Sequence, residues 1–299
     1  MLRKLVKQGA ATLMVSLPSK WIRSNNLNKG DEINMQEAEQ FLIISAAQIK
    51  TKNQVEIKLQ DLNEASIRTL ITNTYRKGYD KIIVKFENSD QYKILESTIT
   101  TKLIGFDIVK KEKNTCIVEN ITEPSIEQFD NILGKMFSNI SILFQITAQR
   151  FNSEKPEEDF NEVEQRIMQY DNFCRRVISK KHITNKKTEF FWTFLHLVDH
   201  GHRELYHLNN VLGKIKISEA TKLLLQDCEK MFDLIKETYL TKNVSILSKV
   251  HELNKQAFYR KGYSLLERSK SKENIIVYHL MACLRKFFQT NSPLTGLIL

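Results

Sequence analysis

Cysteine is scarce in this chain of 299 residues. The four present, Cys116, Cys174, Cys228 and Cys283, stand far apart with no C-x-x-C pair. This spacing excludes a zinc knuckle and a redox dithiol and leaves buried thiols as the reading. No apolar run approaches about eighteen residues, so no membrane span is expected. No positive, apolar, small-residue leader is seen either, and a cytoplasmic protein is expected. A glycine-rich phosphate loop, a nucleophile elbow and paired catalytic carboxylates are all missing, and the chain is read as non-enzymatic. Acid is also missing from its first thirty positions. Arg3, Lys4, Lys7, Lys20, Arg23 and Lys29 all precede the first carboxylate, Asp31.

With 41% hydrophobic and 27% charged residues, the remaining composition is that of a globular protein of two or three domains. A formal net charge of +10 fits a polyanionic partner such as nucleic acid, and equally a basic surface without one.

Three segments differ in periodicity. Leu5, Thr12 to Leu17 and Glu32 to Ile44 alternate as short strands, with a turn at "KQGA" and a helix near Ser19 to Asn26, which Pro18 precedes and Ser19 is placed to cap. This β-β-α-β-β unit of about 45 residues is too small to bury a core of its own, and a dimer is the simplest remedy. From 51 to 123 the pattern reads β-α-β-α-β-β: strands at 55–59, 81–86, 106–111 and 116–120, with helices at 64–77 and 89–103. Gly78 and Gly105 stand where each helix reverses into a strand. This part is either a spacer that supports a dimer or a small-ligand sensor. After Pro124 apolar residues recur every three or four, as in Ile126, Phe129, Leu133, Met136, Ile140 and Leu143. Six helices are expected near 125–151, 157–181, 188–212, 218–240, 244–268 and 273–290, a number that permits two three-helix bundles in tandem.

The stretch "GAATLMVSLPSKWIRSNNLNKGDEINM" resembles the AbrB/SpoVT/MazE swapped-hairpin family over residues 3–45, in its glycine, alternating strand, "LP", short helix and "GD". The resemblance implies an intertwined dimeric β-barrel that binds double-stranded DNA. It nominates Arg3, Lys4 and Lys7, with Lys20 and Arg23, as the DNA-contacting residues. Basic side chains on a paired strand and a short helix are suited to neutralising phosphates, and a two-fold dimer presents them twice. The plain alternative is a solvated basic face. Trp21 either stacks on a sugar or base or belongs to the core.

The helical part, through "EQRIMQYDNFCRRVI" and "LHLVDHGHRELYHLNN", resembles the PhoU family over residues 124–299. A swapped hairpin ahead of such a unit resembles the archaeal phosphate-uptake regulators. That resemblance implies an α+β and all-α protein of three domains: a DNA-binding unit at 1–47, an α/β domain at 48–123 and a helical regulatory domain at 124–299. The implied function is transcriptional control of phosphate uptake as a homodimer. The alternative is a signalling adaptor that contacts a phosphate transporter or a histidine kinase and does not bind DNA. An antitoxin-like partner-binding module is a third reading.

Family members hold metal ions on acidic helix motifs, and this sequence departs from them. In "HRELYH" only Arg203 and His207 match, while His202 and Tyr206 replace acids, and the second repeat keeps Arg285 alone. His196, His200, Glu204 and His207 nevertheless fall within about 80° on one side of a helix, opposite Leu195, Val198, His202 and Leu205. They make either a site for a divalent or iron ion or a polar face with His–Glu pairing. No other cofactor is called for. Asp171 matches an acidic position of the family and reads as an oxygen ligand or as a surface or salt-bridged residue, and Asp199 with Arg203 reads as a structural i,i+4 pair.

Overall fold

The computed structural model describes the chain except for Met1 and residues 10–11, 39–40, 47–52, 123–127, 182–186 and 271. Two compact units are present, Met1–Thr51 and Lys52–Leu299. The expected boundaries at 47/48 and 123/124, the end of the "KQGA" turn and Ile126 all lie outside the described residues.

In the first unit, strands β1 (Val6–Gln8) and β2 (Thr12–Met14) form one antiparallel hairpin, with Lys7 opposite Leu13. Helix α1 (Ser19–Ser24) follows, and β3 (Ile33–Ala38) and β4 (Phe41–Ala46) form a second hairpin. The β-β-α-β-β order is the expected one. Ser19 is not the cap, however. Pro18 occupies the N-cap position in extended conformation, so the helix starts without a side-chain cap. Its C-terminus closes through left-handed Asn26 (φ 52°): Leu27 N–H donates to Ile22 O at 3.1 Å and Asn26 N–H to Arg23 O at 3.1 Å, the paired bonds of a Schellman ending. The two hairpins remain separate two-stranded sheets, and the described residues of the single chain close no barrel. Among the unit's residues whose side chains are described, which leaves out Gln36, Ala38 and Phe41, none is buried. Leu5, Leu13 and Met35 expose 66%, 61% and 53% of their surface.

The second unit begins with strands β5 (Gln54–Lys58), β6 (Lys81–Lys85), β7 (Phe106–Lys111) and β8 (Thr115–Asn120), and helices α2 (Glu64–Arg76) and α3 (Ser89–Lys102). The sheet order is β5-β6-β8-β7, with β5 parallel to β6 and β8 antiparallel to both of its neighbours. Alternate strand residues Ile57, Ile82, Val84, Cys116 and Val118 bury against Ile67, Ile71 and Tyr75 of α2 and Leu95 and Ile99 of α3. Asn63 and Asn88 cap the two helices, each accepting a backbone N–H at 2.9 Å. Gly78 adopts φ +88° where α2 ends, and a Cβ there would lie 2.6 Å from Lys180 Cγ, so glycine is required twice over.

Helices fill the rest: α4 (Phe129–Phe151), α5 (Phe160–Lys181), α6 (Thr188–Val211), α7 (Glu219–Thr241), α8 (Ile246–Asn254), α9 (Tyr263–Arg268), α10 (Lys272–Gln289) and α11 (Asn291–Ile298). The helix expected at 244–268 is interrupted, because Lys255–Gly262 between α8 and α9 is π-helical. Helix α11 was not foreseen; it packs on α6 and α7. Helices α4, α5 and α6 form one group and α7, α8 and α10 another, joined along α6 and α10 and along α4 and α7 into one core. Phe137 lies in T-shaped contact with Phe194, Phe232 and Tyr239 at its centre. Gly201 lets α6 meet α10 closely, since a Cβ would come 2.5 Å from the Phe287 ring. All four cysteines are buried thiols. Among the described residues no helix is long and apolar enough to cross a membrane.

The α/β part and the helical part meet where α5 lies across α2 and α3. Arg176, 1% exposed, enters from α5. It donates to the carbonyls of Tyr75 (3.0 Å) and Tyr79 (2.9 Å) at the end of α2 and to Asp80 Oδ1 (2.7 Å). Its guanidinium carbon also lies 4.9 Å and 4.7 Å from the ring centres of Tyr75 and Phe106. Truncating it strands the two carbonyls and leaves Asp80 to Lys180 alone. Arg176→Ala is therefore expected to lower the unfolding free energy by about 3–5 kcal/mol, measured by urea denaturation. A loss below about 1 kcal/mol, the size of a surface pair, would show that Arg176 does not hold the parts together.

Candidate nucleic-acid interface and ionic seam

The first unit separates its charge along the chain. Residues 1–30 carry six cations and no acid, whereas residues 31–46 carry four carboxylates and no cation. Arg3, Lys4, Lys7, Lys20 and Arg23 are all exposed. Lys7 lies in β1, with Arg3 and Lys4 just before it. Lys20 and Arg23, three residues apart on α1, share its outer side, while Trp21 and Ile22 are half-buried on the other. Cations on long, mobile stems around a short helix and a hairpin can settle on phosphates several ångströms apart without reading bases.

The four residues proposed for metal do not converge. All lie on α6, but His196 and His200 pair with each other, ring centres 4.2 Å apart, and Glu204 is taken by His279 of α10, 2.8 Å from its Nδ1. That hydrogen bond outweighs burial and holds the Glu204 carboxyl below its usual range. His207 faces His279 at 6.2 Å between ring centres. Among the described residues no group of three His, Cys, Asp or Glu side chains is placed to hold a metal ion. The opposite side of α6 behaves as its periodicity required: Leu195, Val198, His202 and Leu205 are fully buried.

Sequence reasoning missed a buried ionic seam at the crossing of α5 with α2 and α3. Residues 171–178 of α5 are buried without interruption, including Asp171, Asn172, Arg175 and Arg176. Asp171 was read as a ligand or as a surface or salt-bridged residue, and it proves to be fully buried and paired twice, with Arg76 at 3.0 Å and Arg175 at 2.7 Å. Asn172 accepts from Arg76 Nε at 2.7 Å and donates to Lys102 O at 2.9 Å, tying the ends of α2 and α3 to α5. Alongside, His202 Nε2 approaches Glu164 Oε2 to 2.8 Å as a close charge contact, and its Nδ1 lies 3.8 Å from Asp199. Asp199 and Arg203 do not form the expected pair, because Asp199 turns into this seam while Arg203 is exposed. A signal was available: Asp171 and Arg175 are i,i+4, with Asn172 and Arg176 beside them. That pattern is also how a solvated helix face is written.

Burial favours neutral groups here, and neighbouring charges modify the outcome. Desolvation raises the Asp171 pKa, and nearby Asp199 adds to this against the opposing pull of Arg175 and Arg76. Burial alone would lower His202, but Glu164, Asp199 and Asp171 outweigh it and raise it. Compared with known protein families, with curated proteins and with solved structures, the chain matches none.

Both raised groups bind more protons folded than unfolded, so their contribution to stability declines as pH rises. For His202 it is complete below the ordinary imidazole value of 6.5 and lost as pH climbs through the raised folded value. The urea midpoint of the intact chain should therefore fall as pH rises above 6.5. His202→Gln should lower the midpoint at the acid end and flatten the curve. A variant curve parallel to that of the parent would remove His202 as the titrating group.

Proposed function

We propose that this chain is a DNA-binding transcriptional regulator that acts as a homodimer through its first unit and is controlled by its helical part. One observation carries the reading: residues 2–46 hold exposed cations on a small unit without a single buried residue among those whose side chains are described. Such a unit is not a finished fold, because two hairpins and one turn-and-a-half helix cannot by themselves offset the entropy of ordering their chain. A second copy would cover Leu5, Leu13 and Met35 and would set Arg3, Lys4 and Lys7 twice along a duplex. The acid-poor half would then meet the phosphates and the acidic β3–β4 half would face away. The resemblance of residues 3–45 to swapped-hairpin proteins supports the same arrangement, and that of residues 124–299 to the PhoU family supports control of phosphate uptake as the target process. In this reading the protein is cytoplasmic and non-catalytic, without a resident metal.

Two measurements separate this reading from an adaptor that never touches DNA. Light scattering of the intact chain should give a dimer, and Leu13→Glu should shift it to monomer; an unchanged dimer would move the interface elsewhere. For DNA, each phosphate contact adds about 0.9 to the magnitude of the slope of log K against log salt, so Lys7→Ala should lower it by roughly two in a dimer. Affinity should fall alike on every sequence. Identical slopes for parent, Lys7→Ala and Arg3→Ala would favour the adaptor.

A further inference from the structure

The π-helical stretch has a cause in the sequence. Buried positions run Val250, Leu253 and Asn254 on α8 and Ala257 in the π segment, and α-helical spacing would next bury Arg260 or Lys261. The wider π turns delay the inward position to Gly262, whose missing side chain accommodates Met281: a Cβ there would lie 3.0 Å from the methionine Cε and Sδ. Both cations are thereby turned outward. π turns recur at functional sites, where they redirect side chains.

The redirected side chains line a cleft of about 690 Å³ between this segment and the start of α7. Arg260, Ser264 and Arg268 follow each other at intervals of four, one turn apart, so they form a track roughly 12 Å long. Among the described residues neither arginine has an ion-pair partner, whereas Lys261 is held by Asp227 at 2.7 Å. Ala220 and Leu223 at the start of α7 and Leu265 on the arginines' own segment supply the apolar lining, with Ser218 and Glu273 beside them, and Leu223 is 52% exposed. The start of α7 is already satisfied, because Glu273 accepts from Ser218 N–H (3.0 Å) and from the Thr221 hydroxyl (2.8 Å). The guanidinium groups are therefore the donors left for an anion. Residues 255–273 hold six cations against two carboxylates, Glu267 and Glu273, the latter also lining the cleft, and the remaining excess of cations keeps the potential around it positive.

We propose that this cleft is a binding site for a soluble organic oligophosphate, with its charged chain along Arg260, Ser264 and Arg268 and its organic group against Ala220, Leu223 and Leu265. A single phosphate would reach one arginine of the track; a chain of phosphates spans both, and guanidinium forks match its oxygens in pairs. The exposed Leu223 is covered only when the anion carries an organic part. The site does not depend on DNA binding by the first unit.

Isothermal titration of the intact chain with inorganic phosphate, tripolyphosphate and ATP tests this, all without added metal. ATP should bind at least tenfold more tightly than inorganic phosphate, with tripolyphosphate between them. Arg260→Ala and Arg268→Ala should each weaken ATP at least fivefold, with partial recovery in Arg260→Lys and Arg268→Lys. Leu223→Ser should weaken ATP more than tripolyphosphate. Lys249→Ala, on the exposed side of α8, and Lys7→Ala should leave all three unchanged. Equal affinity of the parent and the Arg260→Ala/Arg268→Ala double variant for ATP would overturn the proposal, as would equal weakening by Lys7→Ala, which would assign the binding to the first unit.

Discussion

The guanidinium of Arg176 ties the two apolar clusters together, beside the contacts that Arg76 makes to Asp171 and Asn172 and that Asn172 makes to Lys102. The sheet with α2 and α3 has one apolar cluster and the helices from α4 onward have another, and the surface between them is polar. A buried cation is costly unless its donors find acceptors. Arg176 meets that condition at the end of α2, where two backbone carbonyls and Asp80 converge and the negative end of the helix dipole adds to the attraction. Gly78 permits the approach, because any side chain there would strike Lys180, which shares Asp80 with Arg176. The crossing is therefore specified by charge and by a missing side chain more than by apolar area.

The neighbouring seam of Asp171, Arg76, Arg175, Asn172 and His202 extends the same logic. Arg76 reaches Asp171 and Asn172 from α2, Asn172 donates to the end of α3, and Glu164 of α5 meets His202 of α6, so the geometry of the crossing decides which of these charges are compensated. A change that slid α5 along α2 would leave several of them unpaired at once. Such a contact has few intermediate positions and suits a unit that must hold one arrangement until a specific interaction alters it.

The two units solve the problem of size in opposite ways. Residues 52–299 bury enough apolar surface to close their own core. Residues 2–46 leave theirs in water, and the same small scale that denies them a core makes their cations accessible. In the helical unit, exposure of charge is arranged differently. The π turns export Arg260 and Lys261 from a helix whose regular continuation would have drawn one of them inward.

Local chemistry was legible in the sequence to within a few residues. Strand and helix spans of the α/β part follow from alternation, from three- and four-residue periodicity and from Gly78 and Gly105; five of the six expected helices follow from apolar spacing, the one at 244–268 being broken; and the burial of Leu195, Val198, His202 and Leu205 follows from their shared side of α6. These features depend on neighbours within one or two turns. What the tertiary structure decided depends on residues about a hundred positions apart. Asp171, Asn172, Arg175 and Arg176 are buried at the crossing of α5 with α2 and α3, which their local spacing alone does not distinguish from a solvated face. Glu204 looked available as a ligand until α10 brought His279 against it. The π stretch sets Gly262, rather than Arg260 or Lys261, against Met281. A polar side chain carries no mark in the sequence of whether water or another chain segment will satisfy it, and that is settled only when the layers meet.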